Sequence, residues 1–231
     1  MRIAVRVVLA VLLAAVVINL AGGLAMGVSK SLPADAPKAL VSGLLMQTGL
    51  LVFSLLAMLI LGKGRLTGFG FAMPQQAQWM SVIFAGFGVG LAAAAIISIA
   101  STGKSPLDMQ FSPLQTVLMI WVYASTCEEV FTRGLIQSFL VPLADRGINV
   151  WRRRLSLPVL VSAAIFGLMH LSLLTMGSPI LSVLLIVIFA FVLGLMAGYQ
   201  RERTTSLLPA VLLHSLFNIS GSLVGWIVSI L

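Results

Sequence analysis

Seven apolar runs, each close to the length that crosses a bilayer, constrain this chain more than any other sequence feature. A transmembrane helix needs about 20 consecutive apolar residues, and short polar connections separate the runs. The runs cover residues 7–28, 39–62, 80–100, 114–143, 158–175, 179–200 and 207–231. Hydrophobic types make up 60% of the chain and charged types only 9%, where a soluble domain carries roughly 25%. The sequence predicts an all-α, polytopic bundle of about seven transmembrane helices, without a large soluble domain.

Two of the runs need separate interpretation. The first, residues 7–28, is long for the core of a secretory signal, so we expect an uncleaved span. Cleavage near Ala25 is the alternative. The fourth run, residues 114–143, is too long for one straight span. We expect it to continue as an amphipathic stretch near the surface or to be broken.

The positive charges predict the orientation of the bundle. The formal net charge is +8, and the basic residues lie in short connections rather than on a soluble surface, which argues against nucleic-acid binding. Cytoplasmic connections of membrane proteins are enriched in Lys and Arg. With a cytoplasmic N-terminus and seven spans, ten basic residues fall on the cytoplasmic side: Arg2, Arg6, Lys63, Arg65, Arg146, Arg152, Arg153, Arg154, Arg201 and Arg203. Only Lys30, Lys38 and Lys104 fall opposite, so we predict this orientation.

Small residues four positions apart recur in the apolar runs and predict close helix packing. The pairs are Gly23 with Gly27, Gly86 with Gly90, Gly194 with Gly198, and Gly221 with Gly225. The single cysteine, Cys127, excludes an intramolecular disulfide and cannot form a zinc-thiolate site alone. We interpret all of these as packing residues.

Few ionisable groups lie inside the apolar runs, and all of them fall in the second half of the chain. Ionisable side chains at membrane depth are costly and usually functional. The ionisable ones here are Glu128, Glu129, Arg133, His170 and His214, with Asn218 as a polar neighbour. We therefore divide the chain into residues 1–113, which carry no motif, and residues 114–231, a predicted catalytic core.

Helical spacing predicts how these groups are arranged. Glu129 and Arg133 are four residues apart, in the favourable order for an acid–base pair on one helix face. A buried Arg needs such a partner, which leaves Glu128 to face a cavity. Phe166 lies four residues before His170 and can pack on its ring; His214 and Asn218 likewise share one helix face.

Three chemistries fit this set of groups. A carboxylate and an imidazole can activate a water molecule, and a second imidazole and an amide can donate to a developing oxyanion, which together suffice for peptide hydrolysis. Two histidines and a carboxylate, as in Glu128, His170 and His214, could instead bind zinc. A proton relay or ligand site in a transporter is a third possibility, although polar groups confined to one half of the chain favour an enzyme.

Three motifs in order resemble a known protease family. Glu128–Glu129 through Arg133 resembles EExxxR, Phe166 through His170 resembles FxxxH, and His214 through Asn218 resembles HxxxN. Together, over roughly residues 114–220, they are similar to the CPBP family, which contains the type II CAAX prenyl endopeptidases and the bacteriocin-processing or Abi proteins.

The resemblance implies a glutamate-dependent intramembrane endopeptidase. Glu128 and His170 would activate the attacking water, and His214 and Asn218 would stabilise the oxyanion. Glu129, Arg133 and Phe166 would support the site, and no metal or other cofactor would be needed.

The expected partners are membrane lipid and a membrane-associated or lipid-modified peptide or protein, and the expected location is the plasma (inner) membrane. A scaffold or immunity protein that binds a peptide without cutting it would use the same cavity and stays an alternative.

Overall fold

The computed structural model describes residues 2–100, 111–150 and 153–230, and it is all-α apart from one short hairpin. Lys104 and Arg152, which enter the charge argument above, lie outside these residues. The long helical segments are α1 (Ile3–Ser31), α2 (Lys38–Leu61), α3 (Trp79–Ala100), α4 (113–143), α5 (Leu157–Met169), α6 (Ile180–Thr204) and α7 (Leu208–Ile230). They match the seven predicted apolar runs.

Six of these helices are long and apolar enough to cross a membrane. They are α1, α2, α3, α5 with its 3-10 extension His170–Met176, α6 and α7. The seventh segment, α4, is helical throughout, with wider π-helical turns at Thr116–Ala124 and Val130–Gln137. The predicted polytopic helical bundle is therefore confirmed, while its orientation relative to the cytoplasm stays a prediction.

The second half of helix α4 runs through the interior of the bundle, whereas the first half has exposed side chains such as Leu114 and Leu118. Every residue from Val130 to Gln137 is buried. A capping box fixes its start: the Ser112 hydroxyl accepts from the Gln115 amide, and the Gln115 side chain accepts from the Ser112 amide. The prediction of an amphipathic stretch near the surface is therefore wrong, because neighbouring helices cover the residues from Val130 to Gln137 on all sides.

Two apolar clusters form the core of the bundle. One joins α1, α2 and α4 around side chains such as Leu50, Phe131 and Leu135. The other joins α3, α5, α6 and α7 around Phe166 and Leu213. The motif-bearing helix is therefore held between the first two helices and the rest of the bundle.

Two of the four predicted glycine pairs pack against neighbouring helices. A Cβ at Gly86 would lie 2.6 Å from the Leu213 carbonyl oxygen, and one at Gly90 would lie 2.5 Å from that of Phe217. Gly194 and Gly198 approach α5 in the same way, at Ala163 and Val159. The pairs Gly23 with Gly27 and Gly221 with Gly225 have nothing within 4 Å of a Cβ in the described part of the chain, so the packing prediction is wrong for them.

A two-stranded hairpin connects α4 to α5 and was not predicted. Strand β1 (Gly147–Val150) pairs antiparallel with β2 (Arg153–Ser156). Gly147 faces Ser156, and a Cβ there would lie 2.9 Å from the Ser156 Cα, so the close strand approach requires glycine. Ser156 then caps α5 by accepting from the Val159 amide.

Candidate active site

The Glu129 carboxylate is the centre of a buried ionic group on α4 and α7. Its Oε1 atom lies 3.1 Å from Arg133 Nη1 and 2.9 Å from His214 Nδ1. The side chains of Glu129 and Arg133 are fully buried. The predicted contact between Glu129 and Arg133 is present. The same carboxylate also binds His214, the histidine of the HxxxN motif, and the sequence did not predict this contact.

Arg133 is stabilised by more than its carboxylate. Its guanidinium carbon lies 4.6 Å from the centre of the Phe166 ring, a cation–π contact between α4 and α5. Nη1 also donates to the Thr132 hydroxyl, whose own proton goes to the Glu128 carbonyl at 2.6 Å. A Cβ at Gly194 would lie 3.0 Å from Nη2, so glycine on α6 leaves the space that this side chain fills.

Glu128 faces a different set of partners from Glu129, as expected for helical neighbours about 100° apart. Its Oε1 atom accepts from Gln47 Nε2 of α2 at 2.8 Å, and its Oε2 atom lies 3.8 Å from His214 Nε2. The side chain is 12% exposed, whereas that of Glu129 is fully buried. Glu128 is thus the more accessible of the two carboxylates.

His170 lies where α5 changes into its 3-10 extension. Its Nδ1 atom is 2.8 Å from the Phe166 carbonyl oxygen, which can only accept, so Nδ1 carries the hydrogen. Nε2 of the neutral ring therefore keeps its lone pair and can act as a base. The Phe166 ring meets the imidazole edge-on at 5.1 Å, as the FxxxH spacing predicts.

Phe166 contacts three of the ionisable groups at once. Besides His170 and Arg133, it meets the His214 ring edge-on at 5.4 Å. Because the aromatic side chain is fully buried, it fixes the relative positions of α4, α5 and α7 at the site. The sequence predicted only the contact with His170.

Asn218 is held by α4 rather than left free beside His214. Its Nδ2 group donates to the Ile120 carbonyl at 3.2 Å and to the Ser125 hydroxyl at 3.0 Å. The Asn218 amide therefore has acceptors on α4. The contact with Ser125 places this side chain beside the helical turn that precedes Glu128.

The structure brings the motif residues into one contact network, with roles that stay predictions. Contacts link Glu128, Glu129, Arg133, Phe166, His170 and His214, and Asn218 binds the same helix as the glutamates. The sequence analysis did not identify Gln47, Ser125 and Thr132 as site residues, because it considered ionisable side chains and these three are uncharged. Gln47 carries a detectable signal, since few amide side chains interrupt the apolar run 39–62.

The ring nitrogens of both histidines bear on possible metal ligation. Each Nδ1 atom already has a partner, the Phe166 carbonyl for His170 and Glu129 for His214. Among the described residues, no group of three or more His, Cys, Asp or Glu side chains has an arrangement that could hold a metal ion.

Comparison with protein families gives a match over the motif-bearing part of the chain. Residues 110–220 match a family model described as Type II CAAX prenyl endopeptidase Rce1-like. All three motifs lie inside this range, so the match supports the resemblance that they carry. No curated protein and no solved structure matches the chain.

Proposed function

Since the family match over residues 110–220 supports a CPBP family protein, we propose that this chain is a glutamate-dependent intramembrane endopeptidase that uses an activated water. The family match indicates CAAX-type endopeptidase activity in general terms. The observation that carries the finer proposal is the position of His214, with Nδ1 at 2.9 Å from Glu129 and Nε2 at 3.8 Å from Glu128. This arrangement joins the first and third motifs in one site.

In the proposed reaction, Glu128 and His170 activate water. The carboxylate of Glu128 and the lone pair of His170 Nε2 are the two available bases, and general base catalysis contributes about 10²- to 10⁴-fold to rate. The water oxygen attacks the scissile carbonyl carbon while its proton passes to the base. The base then returns that proton to the leaving amine as the C–N bond breaks, which yields a carboxylic acid and an amine.

His214 and Asn218 are the proposed donors to the tetrahedral oxyanion. His214 Nδ1 donates to the Glu129 carboxylate, so Nε2 can donate to the oxyanion only when both ring nitrogens carry a hydrogen. Asn218 would have to exchange its contact with Ile120 or Ser125 for one with the substrate. Oxyanion donors fixed in a water-poor site are among the largest contributors to catalysis.

Glu129, Arg133 and Phe166 are proposed as supporting residues. Glu129 fixes the orientation of the His214 ring through Nδ1, and Arg133 neutralises the buried carboxylate. Phe166 packs between Arg133 and both histidines. A buried carboxylate without its arginine would carry a desolvation cost of several kcal/mol.

The substrate that fits this site is a protein or peptide held at the membrane. The chain is an integral, multi-pass membrane protein that matches a family model described as a type II CAAX prenyl endopeptidase. We propose a membrane-associated substrate whose lipid or apolar segment enters from the bilayer, and the plasma (inner) membrane as the location. We also propose that hydrolysis needs no metal or other cofactor.

Cleavage by purified protein in lipid vesicles tests the proposal. The substrates are a panel of farnesylated and unmodified membrane peptides, and the variants are Glu128→Gln and the matched control Glu202→Gln, which makes the same change on an exposed residue bonded to Ser156. We expect Glu128→Gln to lower turnover at least about 10²-fold, Glu202→Gln to match wild type, and a chelator to have no effect.

Other outcomes point elsewhere. Retained turnover in Glu128→Gln contradicts the water-activating role, and loss with chelator favours a metal. Specific peptide binding without cleavage would favour the scaffold or immunity function.

A further inference from the structure

A cavity of about 190 Å³ lies away from the motif side chains, between the hairpin and helices α3, α6 and α7. Its rim includes Val150 and Arg153, which are exposed, whereas Gln200 and Leu213 on its inner walls are buried. The cavity therefore leads from the surface into the bundle. Ser81 on α3 completes its polar lining.

The rim of this cavity carries a cation without a carboxylate partner. The Arg153 guanidinium lies 5.2 Å from the centre of the Tyr199 ring, and no acidic group among the described residues lies within salt-bridge distance of it. Glu202 lies three residues after Tyr199 on α6, but its carboxylate accepts from the Ser156 hydroxyl at 2.5 Å. The ring orients the guanidinium while leaving its charge uncompensated.

The inner walls combine apolar surface with an amide. Leu195, Met196 and Leu213 provide apolar side chains. Gln200 is only 5% exposed and lines the same cavity. Its side-chain amide gives the inner wall a polar group.

We propose that this cavity binds an anionic phospholipid. The phosphate would contact Arg153, the Gln200 amide would bond to an ester or glycerol oxygen, and the first part of an acyl chain would cover the leucines and Met196. A volume of about 190 Å³ is below the roughly 300 Å³ of pockets that enclose whole ligands. The remainder of the lipid would therefore stay in the bilayer.

The predicted orientation places this cavity beside an anionic leaflet. Strand β2 and the ends of α4 and α6 carry Arg146, Arg153, Arg154, Arg201 and Arg203, which the charge distribution assigns to the cytoplasmic side. Cytoplasmic leaflets contain anionic lipids, and basic pockets between transmembrane helices bind their head groups.

Lipid titration of the purified protein tests this site. The full chain in non-ionic detergent is titrated with phosphatidylglycerol or phosphatidylcholine, with binding followed by native mass spectrometry and by melting temperature. The variants are Arg153→Gln and its neighbour Arg154→Gln, which removes the same charge from an exposed side chain that does not line the cavity and donates to the Asp145 carbonyl.

We expect wild type and Arg154→Gln to bind phosphatidylglycerol alike and to prefer it to phosphatidylcholine. Arg153→Gln should weaken binding about fivefold, the effect of one basic residue at an anionic surface. Ala85→Leu, which fills the cavity without changing charge, should weaken binding of phosphatidylglycerol as well. Equal losses in the two arginine variants, unchanged binding in Ala85→Leu, or no preference for the anionic lipid would each overturn the proposal.

Discussion

The two parts of this chain differ in what their sequences reveal. Residues 114–231 carry every ionisable motif residue, and the family match covers most of that part. Residues 1–113 carry no motif, yet they contribute Gln47, which binds the Glu128 carboxylate at 2.8 Å. They also contribute α3, whose Gly86 and Gly90 pack against the helix bearing His214 and Asn218.

The comparison separates chemistry from positioning. The groups that could take part in hydrolysis are concentrated in the second part, where α4, α5 and α7 meet. The first part contributes to the site through helix packing and the hydrogen bond from Gln47, and neither can be recognised from a sequence motif. We therefore expect substitutions in the second part to have the larger effects, with a few in the first part approaching them.

The largest expected effect is that of Arg133→Ala. It leaves Glu129 buried without its cation and removes the contact with Phe166, so we expect a loss of about 3–5 kcal/mol in unfolding free energy and a low folded yield. Arg146→Ala is the control, since its pair with Asp145 is mostly exposed and worth under about 1 kcal/mol. Size-exclusion chromatography and melting in detergent measure both. A stable, fully active Arg133→Ala protein would contradict the supporting role.

The next effect tests whether the first part can disturb the motifs by packing alone. In Gly90→Ala the new Cβ would lie 2.5 Å from the Phe217 carbonyl oxygen, so α7 must shift, at a cost of about 1–3 kcal/mol. Gly88→Ala on the same helix meets nothing within 4 Å among the described residues and serves as the control. We expect a lower melting temperature and lower turnover only for Gly90→Ala. Equal behaviour of the two variants would show that α3 does not position α7.

The seven helical segments were predictable because length and hydropathy dominate in a membrane. Each predicted run agrees with its helix to within a few residues, since connections with Pro, Gly and charge end the spans. The interior course of α4 was not predictable, because apolar content alone does not distinguish a lipid-facing surface from a protein-facing one. The hairpin was not predicted either, because an Arg-rich connection between apolar runs was interpreted as a sign of membrane topology and not of strand pairing.

The site shows a similar limit. The contact between Glu129 and Arg133 and that between Phe166 and His170 follow from four-residue spacing within one helix. The contacts of His214 with Glu129 and of Asn218 with Ser125 depend on how α7 lies against α4. Spacing along one helix contains no information on such contacts, and the same holds for the contact of Gln47 with Glu128.

A smaller effect tests the polar contribution of the first part. Gln47→Leu leaves Glu128 Oε1 without its amide donor, and a hydrogen bond to a charged group is worth about 1.5–3 kcal/mol. We expect kcat for a cleaved peptide to fall about tenfold or more, with KM little changed. Thr48→Val removes the neighbouring contact with the Tyr123 hydroxyl on α4 and should retain wild-type turnover. An unchanged kcat in Gln47→Leu would place all positioning of Glu128 in the second part.

The smallest effect separates close helix packing from small-residue spacing within the first part itself. Gly23 on α1 is exposed and has nothing within 4 Å of a Cβ in the described structure, whereas a Cβ at Gly49 on α2 would lie 2.8 Å from Ala21. Gly23→Ala should change unfolding free energy by no more than about 1 kcal/mol, in the stabilising direction, because alanine favours the helix. Gly49→Ala should destabilise, because α1 and α2 must separate. Melting of both variants in the same detergent measures this contrast. Destabilisation by Gly23→Ala would indicate that the exposed face of α1 has a packing partner outside the described contacts.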